Sequence, residues 1–238
     1  MVSIAFMLMV GLSATAGPRR VSLSFLYRWM CPTLVVGFAA FIVLGETAGA
    51  YVAYVVAIAA ATNVASAVLL EPAICQKIVV VWLGGNTRDW VYPSEFNLSQ
   101  DLAAGQVLFD CGVPLVQIPA FGVTNFLITT VPELEACLAG KNKICDYLVD
   151  NVKAYSNDHF AWSKAIWDVG AVAYLVNSGW TPSSLIHAPV VVSDHSYAFD
   201  ERRHFIRSVQ RMDRDAIFRD LFTKLGSCHE RFPQAAKK

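Results

Sequence analysis

The chain has 238 residues, 55% of them hydrophobic, and its 19 Lys and Arg balance 19 Asp and Glu to a formal net charge of zero. That length fits one large domain or a domain with an appendage, and the charge balance excludes a bulk attraction to nucleic acid or acidic substrates. The six cysteines, Cys31, Cys75, Cys111, Cys137, Cys145 and Cys228, show no Cys-x-x-Cys spacing, which argues against a zinc cage or disulfide framework and fits reduced, partly buried thiols in an intracellular protein.

Residues 1–61 differ from all that follows, with Arg19, Arg20, Arg28 and Glu46 as their only charged side chains. Residues 1–17 are similar to a signal-peptide core ending in Ser13-Ala14-Thr15-Ala16, but lack a basic start. Residues 33–44 form a 12-residue uncharged run, too short to span a bilayer alone. Glu46 interrupts it before a second run over 47–61. Together the runs read either as one imperfect membrane segment or as buried strand and helix of an α/β domain. From about Tyr51 the soluble reading is favoured, because the pattern continues into a strand-loop-helix unit.

In that unit residues 51–58 read as a buried strand, 59–62 as a turn and 63–70 as a helix capped by Thr62 or Asn63 and closed before Pro72. Residues 77–83 make a continuous apolar strand of the kind buried on both faces of a parallel sheet. It runs into Gly84-Gly85-Asn86, where open α/β sheets place their ligand crevice. A polar loop over 87–97 follows. Ser99 is expected to cap a helix over 100–109 with Asp101 in its first turn and Gly112 at its end, and 114–118 reads as a strand.

Thr130-Val-Pro-Glu133 is a capping box opening a helix that ends near Gly140. The next helix covers 143–156, with Lys143, Asp146, Asp150 and Lys153 on its solvated face. Over 160–175, Ala165, Val169, Val172, Ala173 and Leu175 recur at helical spacing, so that run reads as a helix packed on a core. Residues 188–192 and 204–210 read as strands. Asp213 caps a final helix over 215–225, ended by Gly226 before a loose polar tail. Alternating strands and helices imply a mostly parallel open sheet flanked by helices.

Asp168 is a carboxylate set into the nearly apolar run after Lys164, and burying it alone is costly without a charge partner, a metal or donors. Trp167 beside it offers an indole for stacking on a flat ligand. The same pair equally fits a core Trp next to an Asp favoured by the helix dipole. Glu95 by itself reads as an ordinary loop carboxylate as readily as a site group, with Phe96 a core anchor on either reading. The sequence contains no Gly-x-Ser-x-Gly elbow, phosphate-binding loop or His-Glu-x-x-His. His159, His187, His195, His204 and His229 share no metal spacing, His204 reads as a sheet-surface residue, and Asp200-Glu201-Arg202-Arg203 reads as a solvated turn.

The order of the segments is more specific than any one of them. Residues 55–66, then 79–86, then Glu95-Phe96-Asn97 with Asp101, then Ile166-Trp167-Asp168 resemble the nucleoside hydrolases, N-ribosyl hydrolases often labelled inosine/uridine-preferring. The resemblance covers residues 51–225, about the carboxyl-terminal two thirds of a family member, and implies a Rossmann-like nucleoside-hydrolase fold. By resemblance Asp168 matches a calcium ligand, and Ile58 sits where the family supplies a backbone carbonyl to the same ion. Glu95 and Asn97 match residues that hold the ribose hydroxyls, with Asn86 a weaker match. Trp167 stands where some purine-preferring members have a tryptophan that stacks on the base. The implied reaction cleaves the N-glycosidic bond of a ribonucleoside through an oxocarbenium-like state, with calcium anchoring ribose and activating water and carboxylates stabilising the positive charge.

The sequence departs from the family at its start. Members carry Asp-x-Asp-x-Gly-x-Asp-Asp after their first strand, whereas here no aspartate precedes Asp89, and Glu46 and Glu71 are the only earlier acidic residues. Calcium takes about six to eight oxygen ligands, so the expectation is weak or absent calcium binding and impaired or lost hydrolysis, with no general base identifiable. Residues 1–50 are an apolar segment that reads as a signal or membrane stretch, as a replaced or truncated start, or as a frame error, with 51–225 the hydrolase-like domain and 226–238 a polar tail. The expected partner is a small-molecule nucleoside rather than nucleic acid, with homo-oligomerisation compatible and a cytoplasmic location. The alternative is a non-catalytic nucleoside-binding module, or one attached to a membrane through residues 1–50. A sheet lacking its first strand would expose an aggregation-prone edge unless residues 21–50 fill that space.

Overall fold

Ile78-Val-Val-Val-Trp-Leu83 is a run of apolar and β-branched side chains that gains most when both faces of its strand are covered. In the computed structural model, which describes residues 40–47 and 50–228, that run is strand β3 of a six-stranded sheet. In chain order the strands are β1 (Ala40–Thr47), β2 (Ala50–Ala57), β3 (Ile78–Leu83), β4 (Leu115–Ile118), β5 (Ile128–Thr129), β6 (Lys164–Ala165), β7 (Ser183–His187), β8 (Val190–Val191), β9 (Tyr197–Ala198) and β10 (Phe205–Val209). The large sheet runs β1-β2-β3-β4-β10-β7, while β5 with β6 and β8 with β9 form separate two-stranded pairs. The centre from β2 to β10 is parallel, and antiparallel β1 and β7 flank it. The mostly parallel sheet read from the sequence is therefore present.

The helices are α1 (Thr62–Leu70), α2 (Phe96–Gln100), α3 (Leu102–Asp110), α4 (Val131–Leu138), α5 (Lys143–Lys153), α6 (Val169–Val176) and α7 (Arg214–Gly226). The period of two along each strand sorts its side chains between two layers. Val80 and Trp82 join Leu115, Ile206 and residues of α1 and α3 in one core cluster. Val81 and Leu83 join Val56, Ile58, Val116 and Ala171 of α6 in another. A third cluster packs α4, α5, α6 and α7 together around Leu134, Leu148, Val149 and Phe218. Trp82 is fully buried, its indole N–H donating to the Ala59 carbonyl at 2.9 Å.

Several expectations change. Residues 40–47 form a strand that pairs along the length of β2, so that edge is covered by part of the segment proposed to fill it. Residues 1–39 and 229–238, where the signal-like stretch and most of the tail fall, lie outside the described residues. Among the described residues no helix is long and apolar enough to cross a membrane.

Neither Thr62 nor Asn63 caps α1, whose N-cap is Ala61 with no side-chain bond. The Thr62 hydroxyl instead donates to the Asp101 carboxylate at 2.5 Å. Asp101 also accepts the Ala104 N–H at 3.0 Å, so it caps α3 rather than sitting in a first turn. Its extended φ of −152° breaks the single expected helix into α2 and α3, and Glu95, not Ser99, caps α2.

The long helix expected over 160–175 is only α6. Residues 160–168 are irregular because Ala161 has φ 52° and β6 pairs with β5. The helix expected over 143–156 stops at Lys153. The strand expected over 188–192 shrinks to β8, and the edge strand β7 is an addition that Ser183-Ser-Leu-Ile-His187 does not signal, because it lacks an apolar run. The capping box is half formed: Thr130 accepts the Glu133 N–H at 3.3 Å, but the Glu133 carboxylate turns to the Thr129 hydroxyl and to Arg214. Gly226 closes α7 from inside the helix, and Asp213 caps it by accepting from Ala216 N–H at 3.1 Å. His204 lies just before β10 and is half-buried, its Nε2 buried without a hydrogen-bond partner.

Candidate functional site

The carboxyl ends of β3 and β4 open into two loops that continue to pair after the strands stop. Gly84 N–H donates to Ile118 O at 3.2 Å, Ala120 N–H to Gly85 O at 2.8 Å and Thr87 N–H to Phe121 O at 3.1 Å. Gly85 has φ 68°, and a Cβ there would lie 1.8 Å from the Tyr197 hydroxyl. Glycine is required on both counts, by backbone conformation and by close approach. The crevice anticipated at this strand end is thus built on a turn only glycine fits.

Glu95 stands over that turn and is 4% exposed. Its Oε2 accepts from Gly85 N–H at 2.8 Å and Leu98 N–H at 2.9 Å, and its Oε1 from Asn97 N–H at 2.9 Å. The carboxylate caps α2 and also anchors the loop leaving β3. Burial pushes its pKa above the ordinary carboxylate value, and the backbone N–H groups oppose that rise without cancelling it.

Asn97 is buried and donates its amide to Leu83 O at 2.8 Å, joining α2 to the end of β3. Asn86, also buried, donates to Tyr92 O at 2.9 Å and accepts from Phe121 N–H at 3.1 Å. These three side chains share one loop system, and each also organises its backbone. Phe96, expected as a core anchor, is instead 76% exposed, because helix α2 turns Asn97 and Leu98 inward in its place.

Phe121 links them to Trp167. Its ring meets the Trp167 indole edge-to-face with centroids 5.3 Å apart and stacks on Trp90 at 5.3 Å and 18°. Trp167 packs half-buried against the same core layer as Ile58, which is 6% exposed. Asp168 follows at the N-cap position of α6 and makes no side-chain capping bond there. The helix dipole favours a negative charge at that position. The fold therefore links Asn86, Glu95, Asn97 and Trp167 through Gly85 and Phe121, sets Asp168 next in the chain to Trp167, and puts Ile58 in the core layer that Trp167 packs against.

Four neighbours escaped the sequence reading. Gln117 is buried in β4, donating to Gly84 O at 3.2 Å while accepting from the Ser208 hydroxyl at 3.4 Å. Its polar side chain inside Leu-Val-Gln-Ile was the available signal. Tyr197 reaches the same point from β9; burial pushes its phenol far up, and the Glu95 charge adds to that. Trp90 and Phe121 lie in loops with no periodicity to expose them.

Among the described residues no three His, Cys, Asp or Glu side chains are grouped to hold a metal ion. One carboxylate and one backbone carbonyl fall well short of the about six to eight oxygens calcium takes. The residues Asp168 and Ile58 do not by themselves fit the ion.

A family model described as inosine-uridine preferring nucleoside hydrolase matches residues 36–219. Among solved structures, an inosine-uridine preferring nucleoside hydrolase from Bacillus anthracis is similar with a TM-score of 0.60 at 20% identity, over 73% of this chain and 59% of that one. An inosine-guanosine nucleoside hydrolase is similar with a TM-score of 0.58 at 16% identity, over 71% of this chain and 60% of that one. At such identities the likeness is one of fold, and the match spans about six tenths of those structures. No curated protein matches the sequence.

Proposed function

The chain belongs to the inosine-uridine preferring nucleoside hydrolase family, and on that premise we propose that it binds a ribonucleoside at the β3–β4 crevice, with N-glycosidic hydrolysis impaired in this chain. The observation that carries this reading is the unbroken line of contacts from Glu95 through Gly85 and Asn86 to Phe121 and Trp167. A carboxylate offers about four lone-pair positions, and three of Glu95's are taken by backbone N–H groups. The remaining one suits a ribose hydroxyl, with Asn97 and Asn86 holding the loop at the right height. Trp167 offers the base a π face, which favours purines for their larger stacking area. A carboxylate beside the sugar would also stabilise oxocarbenium charge.

The impairment follows from donor chemistry. No aspartate precedes Asp89, and Asp168 with the Ile58 carbonyl is too small a set for calcium. Calorimetric titration of the full chain with inosine and uridine, alongside a nucleosidase assay with and without added calcium, tests both halves. Binding with turnover far below about 1 per second is the expected result. Ordinary turnover would overturn the impairment, and an absence of binding to either nucleoside would overturn the site. A cytoplasmic, unanchored chain belongs to the same reading, and partition of the full chain into a detergent phase would contradict it.

A further inference from the structure

The β8–β9 hairpin stands beside the loop that carries the crevice residues and touches it three times. His195 Nδ1 and the Ser99 hydroxyl share a hydrogen bond of 3.1 Å, and the Ser99 hydroxyl shares another of 2.9 Å with that of Ser94. Tyr197 brings its hydroxyl against the Gly85 turn, where the Gln117 amide donates to it at 3.5 Å. The Phe199 ring lies under the Arg88 guanidinium, 3.9 Å from carbon to centroid. These three side chains are spaced two residues apart, the interval at which an extended chain returns to one face. His195 reaches Ser99 from φ 70°, a left-handed conformation that few residues other than glycine adopt.

The hairpin has a buried anchor that the loop lacks. Val191 is buried, and its carbonyl accepts from the Gln106 amide of α3 at 3.0 Å. Asp194 closes the hairpin turn by accepting the Ser196 N–H at 2.9 Å. Residues 88–94 of the loop, by contrast, are all exposed. From within, that stretch is held by the stack of Trp90 on Phe121 and by the Asn86 amide on Tyr92 O. With so little burial, local opening costs little free energy, and contacts from outside the loop weigh correspondingly more.

We propose that His195, Tyr197 and Phe199 are positioning residues, through which the hairpin clamps residues 84–99 and keeps Glu95 and Asn97 ready for ligand. The clamped positions Gly85 and Ser99 flank Glu95 in the chain. Glu95 in turn accepts from the Gly85, Asn97 and Leu98 N–H groups, so loosening either end loosens its acceptor network. The consequence for ligand rests on the nucleoside reading of the crevice; the clamp itself does not.

Hydrogen exchange of the full chain, read at the Gly85, Asn97 and Leu98 amides, tests the clamp, and calorimetric titration with inosine tests what it does for binding. His195→Gly removes the ring without backbone strain at φ 70°, and Ser99→Ala removes the hydroxyl at the other end of the bond. Each is expected to speed exchange at those amides about fivefold, the worth of one hydrogen bond, and to weaken inosine binding by up to about that factor. Exchange in α5 and α7 should stay as in wild type. His195→Asn, whose side-chain amide takes the place of Nδ1 and which tolerates positive φ, should restore both readouts. Unchanged exchange at the three amides would overturn the proposal. So would faster exchange throughout the chain, or an Asn variant that behaves as the Gly variant does. Faster exchange with unchanged affinity would overturn the positioning role. A wild type that binds no nucleoside would overturn the crevice reading instead, and the exchange rates would still decide the clamp.

Discussion

The Glu95 carboxylate accepts the Gly85 N–H at 2.8 Å, so one side chain both caps helix α2 and fixes the glycine turn leaving β3. A helix cap ordinarily serves its own helix. Here it also sets the floor of the crevice, and the residues assigned to ligand binding are the ones that shape the loop.

Replacing Glu95 by Ala should destabilise the fold by about 2–4 kcal/mol, because it strands three buried N–H donors. Urea denaturation measures this, and a loss below about 1 kcal/mol would show that water or a rearranged loop satisfies those donors.

The pH dependence of Glu95 has a definite sign. Its folded pKa lies above the ordinary value of 4.5, so the native state binds the proton more tightly than the unfolded chain. Its contribution is fully present below 4.5 and is lost as pH rises through the raised folded value. Gln does not titrate, so across mildly acidic pH the melting temperature of wild type relative to Glu95→Gln should fall as pH rises. A wild type that gains stability relative to the variant as pH rises would contradict the raised pKa.

Gly85 and Tyr197 should couple. Gly85→Ala brings a Cβ to 1.8 Å from the Tyr197 hydroxyl at φ 68°, and is expected to cost about 3 kcal/mol or more. Tyr197→Phe removes the clashing oxygen at a cost of about 1 kcal/mol. In a double-mutant cycle the pair should cost less than the sum of the singles; strict additivity would mean the loop moves away from Tyr197 on its own.

Arg214 joins the first turn of α7 to α4 through Glu133 and also donates to Ile128 O at 3.0 Å. Burial raises the Glu133 carboxyl, but the Arg214 and Thr129 hydrogen bonds outweigh it and hold the pKa below 4.5. That stability is present above 4.5 and lost as pH falls through the lowered value. With about a third of each side chain exposed, Arg214→Met should cost only about 1 kcal/mol at neutral pH. Acid melting curves should show the variant losing less stability than wild type below that pH.

Trp167→Ala should weaken binding of a purine nucleoside about tenfold, the worth of one stacked ring. Phe121→Leu should weaken it less, since Phe121 meets Trp167 by its edge. Calorimetric titration against inosine reads both. Equal affinities for all three chains would place the base elsewhere.

Local rules account for what was legible in advance. Strand β3, the Thr130 and Asp213 caps and the Gly84-Gly85-Asn86 turn are each encoded within a few neighbouring residues, by burial pattern, a capping oxygen or a glycine. Trp167 and Asp168 stand out as an indole and a carboxylate in an apolar run, and Glu95 as a loop carboxylate, whereas Asn86, Asn97 and Ile58 were legible only through the ordered resemblance.

Tertiary structure alone decided which groups those side chains meet. Asp101 looked like a first-turn acid, but Thr62 across the α1–α3 contact and the Ala104 N–H draw it into a cap. Glu95 looked like a loop carboxylate, and the fold brings Gly85 to it. The Phe121 ring reaches Trp167 only because the loop after β4 pairs with the loop after β3. A buried polar group takes whichever donor lies across the sheet from it, and that neighbour is set by strand order, not by distance along the chain.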